Sequence, residues 1–277
     1  MHIFVTGGTG FIGSHFIDAA LRAGHEVTAI RRVATARLPL LLEAEPRWLE
    51  RGLAEIGAGD LEGCEVVAHF AACGVTPQPC DWDSAFRVNV MDSLALMATA
   101  RASGVMKVVA SGTYAEYGKA GLRYEFIPPD APLEPTDPYA ASKAAASVAL
   151  GSYARANRMG LFYGRIFSAF GEGQNAANFW PALRRAALAG EDFEMTAGEQ
   201  VRDFIPVTDV AAQFLAACTK TDWPPGEPEF RNVASGRPVT LAGFATEWWE
   251  KWEAVGQLRL GAVPYRPNEV MRYIAKI

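Results

Sequence analysis

Residues 6–13 constrain this chain more than any other stretch. Thr6-Gly7-Gly8-Thr9-Gly10-Phe11-Ile12-Gly13 joins the apolar run His2-Ile3-Phe4-Val5-Thr6 to an amphipathic stretch, Phe11 to Ala23. The run reads as a buried strand and the stretch as a helix closed by Gly24-His25. Glu26-Val27-Thr28-Ala29-Ile30 reads as a second strand. Such a strand–helix–strand unit requires parallel pairing and a right-handed crossover. Gly8, Gly10 and Gly13 satisfy Gly-x-Gly-x-x-Gly, and Gly7, Gly10 and Gly13 the related Gly-x-x-Gly-x-x-Gly. In such loops the glycines allow a tight turn off the strand, backbone approach to a pyrophosphate, and close packing of helix on strand. The helix N-terminus adds unpaired N–H groups and a positive dipole end. Its place between strand and helix separates a dinucleotide site from a plain glycine turn.

The rest of the chain continues the alternation. Strands are expected at Cys64–Phe70, Val105–Ala110 and Leu161–Phe167, with helices at Trp82–Ser103 and Tyr139–Arg158. This predicts an α/β fold, a doubly wound parallel Rossmann-type sheet. Beyond about Gly171 proline and tryptophan become frequent and segments shorten, with helices expected at Asn178–Ala189, Val207–Ala217 and Leu241–Val255. The expected division is a cofactor domain over 1–168, taking back part of 203–234, and a smaller C-terminal α/β substrate lobe over 169–277.

Composition removes other classes. The 277 residues carry a net charge of −5 and no basic tail, so nucleic acid is not an expected partner. Cys64, Cys73, Cys80 and Cys218 form no CxxC pair, which argues against a disulfide scaffold or a structural metal site. No apolar stretch approaches the roughly 20 residues of a membrane span, and the first strand starts at His2, leaving no room for a signal peptide. A soluble, cytoplasmic protein is expected.

Three further features carry chemistry. Tyr139 and Lys143 open the helix after Asp137-Pro138, four residues apart and so on one face. A cation beside a phenol lowers its pKa from near 10 and suits it to proton transfer. Ser111-Gly112-Thr113 ends a strand, where ligands of open α/β sheets bind. A Thr113 hydroxyl there can orient a substrate oxygen toward Tyr139, or simply stabilise a turn. Finally, Ile30-Arg31-Arg32 occupies the strand end that carries an acidic residue in NAD sites. Two arginines there suit a 2′-phosphate, predicting NADP(H), unless they form a solvated basic loop.

These motifs, with His69-Phe70-Ala71-Ala72, Val88-Asn89-Val90, Ser111 to Gly118, Arg202 to Ala211 and Arg266-Pro267, resemble extended short-chain dehydrogenases/reductases of the NAD-dependent epimerase/dehydratase family, which act on nucleotide sugars. The resemblance implies Thr113, Tyr139 and Lys143 as the catalytic set. It implies cofactor contacts at Gly7, Gly10, Phe11, Ile12, Gly13, Arg31, Arg32, Leu53, Ala71, Ser111 and Phe167, besides Tyr139 and Lys143. It implies a nucleotide-diphosphate sugar held by Thr113, Ser168, Asn178, Arg202 and Arg266, where fork-shaped donors suit a diphosphate. His69 would then be a buried strand histidine. Family members often dimerise through the helices at 82–103 and 139–158. The alanine face Ala140, Ala141, Ala144, Ala145 and Ala149 permits a homodimer or packing on the sheet.

The same comparison bears on the reaction. Related 4,6-dehydratases place an Asp-Glu pair after the catalytic threonine, where this chain has Tyr114-Ala115. Glu116 is one residue late and would point to the other face of an extended segment. Arg31-Arg32, Ser-Gly-Thr, Tyr265 to Glu269 and an end soon after Arg266 resemble the CDP-deoxyhexose 4-ketoreductase branch. The expected reaction is NADPH-dependent reduction of the C4 ketone of a nucleotide-linked 4-keto-6-deoxyhexose. The alternatives are a 4-epimerase with tightly bound NAD and a non-catalytic dinucleotide sensor.

Overall fold

The computed structural model describes residues 1–75, 80–267 and 269–277. Asn268, within the expected 265–269 segment, lies outside them. The glycine loop does join two elements, β1 (His2–Thr6) and α1 (Phe11–Arg22), and β2 (Glu26–Arg31) runs parallel to β1. Beyond it β3 (Arg47–Glu50) pairs parallel with β2 at the sheet edge. Its four residues, Arg-Trp-Leu-Glu, offered too short an apolar run to be recognised as a strand. β4 (Val66–His69) returns to the other side of β1.

The helix expected over Trp82–Ser103 is in three pieces: α2 (Trp82–Phe86), a π-helical turn over Arg87–Asp92, and α3 (Ser93–Ala102). π-turns commonly accommodate a functional side chain. Here Asn89 is drawn inward, 1% exposed; its amide oxygen accepts from the Cys73 N–H (2.8 Å), and its Nδ2 donates to the Cys73 carbonyl (2.9 Å) and to Ser142 Oγ (2.8 Å). Then follow β5 (Lys107–Thr113), α4 (Pro138–Asn157) and β6 (Gly160–Ile166). Asp137 caps α4 by accepting from the Ala140 N–H, and Pro138 stands at the first helical position, where no N–H is needed.

The C-terminal part adds β7 (Ser168–Phe170), α5 (Phe179–Ala189), β8 (Phe193–Met195), β9 (Val201–Pro206), α6 (Val207–Thr219), β10 (Glu229–Val233), β11 (Pro238–Thr240), α7 (Leu241–Lys251), β12 (Leu258–Leu260) and β13 (Arg272–Tyr273). β10 pairs with β6, completing a seven-stranded parallel sheet in the order β10-β6-β5-β4-β1-β2-β3. The fold is thus the doubly wound α/β sheet expected. A smaller sheet gathers β7, β9, β11 and β13, and β8 pairs with β12.

Strand alternation feeds two cores. Ile3 and Val5 of β1 face Phe16 and Ile17 of α1 and Val210 and Phe214 of α6. Phe4, between them, faces the opposite layer, with Leu96 and Met97 of α3 and Leu150 and Ala154 of α4. Phe214 is fully buried and packs its ring against Phe70 (5.1 Å) and Phe162 (5.7 Å). Phe214→Ala should therefore destabilise the protein by about 3–5 kcal/mol in urea unfolding; a loss under about 1 kcal/mol would contradict this account of the core.

Candidate active site

The order of the sheet reverses between β1 and β4, and ligands of such sheets bind beyond the C-terminal strand ends at that point. The glycine loop stands there. Gly7 has φ +71°, and a Cβ on it would lie 2.5 Å from the Ala71 N atom; a Cβ on Gly13 would collide with the Gly7 carbonyl. Only glycines allow α1 to start this close to β1 and β4. Thr6 Oγ1 lies 2.6 Å from His69 Nδ1, and the other ring nitrogen lies 2.9 Å from Ser93 Oγ. Burial, and then the charge of Lys143, hold the His69 pKa down to about 3, so this is a neutral strand histidine.

A cleft of about 820 Å³ opens beside the loop. Phe11 and Ile12 line it from the start of α1, and Ser111 and Thr113 from the end of β5. Tyr139 enters from the first turn of α4, Phe167 from just past β6, Ser168 from the start of β7, Asn178 from the start of α5 and Arg202 from β9. Lys143, one turn beyond Tyr139 and 3% exposed, holds its ammonium 5.9 Å from the centre of the Tyr163 ring. That ammonium has no hydrogen-bond acceptor among the described residues. A buried lysine near enough to His69 to act on its charge, with a glycine-lined helix start at the same strand ends, fits a nicotinamide dinucleotide, whose ribose hydroxyls would supply acceptors.

Other expected residues lie elsewhere. Arg266 is exposed and does not line the cleft; Arg202 instead meets Glu269 at 3.0 Å. Leu53 follows β3 and its side chain packs against the α3–α4 core. Ala71 follows β4 and donates its N–H to Thr6 Oγ1 at 3.4 Å. Arg32 is exposed, and Arg31 faces Glu50 of β3 across 3.5 Å. Sequence distance hides that carboxylate, because the four residues of β3 carry no clear strand pattern. The cleft also takes Tyr114, Gln174, Trp180 and Phe204, which carry no motif spacing that could have announced them.

Glu116 avoids the cleft for a reason other than strand alternation. Tyr114–Tyr117 is a 3₁₀ turn, and its sharp rotation turns Glu116 into the interior. The carboxylate accepts from the Thr113 N–H (2.8 Å) and from Arg165 Nε (2.7 Å), and Tyr163 Oη lies 3.0 Å away. The phenol of Tyr139 is also not what the sequence implied. Burial, and then the nearby Glu116, push its pKa well above the ordinary value, while the Thr113 hydroxyl works against them. In this state Tyr139 is a protonated acid.

Burial holds Lys143 itself down to about 8 from 10.5, with Glu116 opposing. Between those values the unfolded chain keeps a proton that folded Lys143 has lost, so this group makes stability rise with pH across that window. Lys143→Met should flatten the rise between pH 8 and 10.5 in urea unfolding of the cofactor-free protein. Equal slopes in both proteins would contradict a depressed Lys143.

Residues 3–233 match the NAD dependent epimerase/dehydratase family. The chain is 30% identical over 254 residues to the UDP-glucose 4-epimerase of Corynebacterium glutamicum, covering 85% of this chain and 76% of that one. It is 31% identical over 255 residues to the UDP-glucose 4-epimerase of Mycolicibacterium smegmatis, covering 85% and 78%. Among solved structures, it superposes on MoeE5 in complex with UDP-glucuronic acid and NAD with a TM-score of 0.84 and 26% identity, over 100% of this chain and 90% of that one. For the UDP-N-acetylglucosamine 4-epimerase of Methanobrevibacter ruminantium the TM-score is 0.87 at 25% identity, over 100% and 89%. With the glycine loop, the tyrosine–lysine helix and the doubly wound sheet in place, the chain belongs to the NAD dependent epimerase/dehydratase family.

Proposed function

We propose that this protein is a nucleotide-sugar 4-epimerase that retains its dinucleotide through the cycle. The observation that carries the reading is the single cleft that runs from Thr113 and Tyr139 to Asn178 and Arg202. It offers proton-transfer groups at one end and, at the other, donors for a diphosphate. The named relatives that support the choice of reaction are UDP-sugar 4-epimerases. The 4-ketoreductase reading leaned on Arg31 and Arg32 as an NADP site, and the pairing of Arg31 with Glu50 weakens that support.

In the proposed cycle Tyr139 removes the proton from the sugar O4 hydroxyl and later returns it, and Thr113 holds the same oxygen. Lys143 binds the nicotinamide ribose, and its charge favours the phenolate once both ligands are in place. A nicotinamide dinucleotide held by Lys143 and the glycine loop would supply hydride exchange at C4. Arg202 and Asn178 hold the diphosphate while the sugar turns over. The raised pKa of Tyr139 favours a second reading, reduction of a 4-keto sugar, because a protonated phenol is a ready donor.

Incubation with UDP-, dTDP-, GDP- and CDP-hexoses, followed by proton NMR, should reveal the C4 epimer of one of them without net consumption of added NAD(P)H. No epimer, with stoichiometric NADPH oxidation by a nucleotide 4-keto-6-deoxyhexose, would replace this reading with the reductase. Tyr139→Phe should lower turnover by roughly 10²–10⁴-fold, the usual scale of general acid–base catalysis, and leave dinucleotide binding intact. Retained turnover would remove Tyr139 from the chemistry.

A further inference from the structure

The ends of β2 and β3 lie side by side, with Arg31 opposite Glu50 in the strand register. Arg31 Nη2 stands 3.5 Å from Glu50 Oε1. The guanidinium also lies over the Trp48 ring, 5.4 Å from its centre. Trp48 is held by a hydrogen bond from its Nε1 to Glu45 at 2.7 Å. Its ring reaches the glycine loop: a Cβ on Gly8 would lie 3.4 Å from it. Arg31, Trp48 and Glu50 therefore form one wall beside the loop, at the strand ends where the adenosine ribose of a dinucleotide is read.

Charge at this wall differs from what β2 alone suggests. Arg31 faces Glu50, and Arg51, just past β3, faces Asp60 at 2.9 Å. Arg32 is the arginine here without an ion pair among the described residues. The Nε of Arg31 is buried and has no acceptor among them either, so Trp48 and Glu50 are what fix this side chain. A 2′-phosphate carries a charge near −2 at neutral pH. It would have to enter beside the Glu50 carboxylate and compete with it for Arg31. A free 2′-hydroxyl meets no such repulsion and can donate to a carboxylate.

We propose that Glu50 is the specificity-determining residue that selects NAD over NADP, a role that β3 supplies because β2 ends in arginine. The proposal rests on the reading that the protein binds a nicotinamide dinucleotide, and it holds whether the sugar is epimerised or reduced. Glu50 excludes the 2′-phosphate by like charge and by occupying Arg31. Trp48 keeps Arg31 flat against the wall, where it balances Glu50 and does not extend toward the ribose.

The test uses cofactor-stripped full-length protein without sugar, titrated with NAD⁺ and with NADP⁺ and followed by calorimetry. The wild type should bind NAD⁺ at least tenfold more tightly. Glu50→Gln should shift the ratio toward NADP⁺ by roughly tenfold or more, equivalent to about 1.4 kcal/mol, and Glu50→Asp should keep the NAD⁺ preference. Tighter NADP⁺ binding by the wild type, or a ratio unchanged within about twofold in Glu50→Gln, would overturn the proposal. Binding of neither dinucleotide would overturn it together with the cofactor reading. Failure of epimerisation with the NAD⁺ preference intact would overturn the sugar chemistry and leave Glu50 as the selector. Glu50 is 56% exposed, so loss of the fold is not expected in either variant.

Discussion

The geometry of the site depends on one buried carboxylate. Glu116 is fully buried and binds the backbone N–H of Thr113 and the guanidinium of Arg165. Tyr163 Oη lies 3.0 Å from Glu116 and equally 3.0 Å from the Lys143 carbonyl, so β5, β6 and α4 meet at this point. Removing a carboxylate and a guanidinium from water costs several kcal/mol for each ion. The cost is offset here because Arg165 also donates to the Pro129 carbonyl at 2.9 Å and lies over the Tyr117 ring at 5.0 Å. The return on that arrangement is positional. The backbone of Thr113 and the helix turn carrying Lys143 are joined through a charge that has nowhere else to go.

A second tie holds the other side of the cleft. The π-turn inserts Asn89 between the segment after β4 and α4, where it binds both backbone groups of Cys73 and the hydroxyl of Ser142. Ser142 lies next to Lys143 on α4, so the helix bearing the tyrosine and lysine is clamped from two directions. Asp203 does similar work in the C-terminal part. Buried at the middle of β9, it accepts from the N–H groups of Ser235 (2.8 Å) and Gly236 (2.9 Å), which follow β10. Arg202, its neighbour, is thereby held at the cleft.

Much of this was legible in the chain. The glycine loop, the alternation of short apolar runs with longer amphipathic ones, and the pair Tyr139/Lys143 are local patterns with fixed physical meaning. Thr113, Ser111, Phe167, Ser168, Asn178 and Arg202 all line the same cleft as Tyr139. What escaped was either too short or too distant. β3 is four residues long, and without it Glu50 has no visible relation to Arg31. Tyr114 to Tyr117 read as extended chain, yet forms a 3₁₀ turn that sends Glu116 inward. Arg266 matched a family position but stands exposed and is not among the residues that line the cleft.

By itself, then, the sequence determined the sheet class, the glycine loop and the Tyr139/Lys143 pair on one helix, because each is encoded by residues a few positions apart. Only the tertiary structure decided the charge at the cofactor edge and the ionisation of the site. Electrostatics depends on distance in space and on access to water, and neither follows from spacing along the chain. Arg31 is one charge in the sequence and half of a pair in the fold. Tyr139 beside Lys143 suggests an acidic phenol, yet burial and Glu116 hold its proton on, and Lys143 is depressed to about 8 by the same burial.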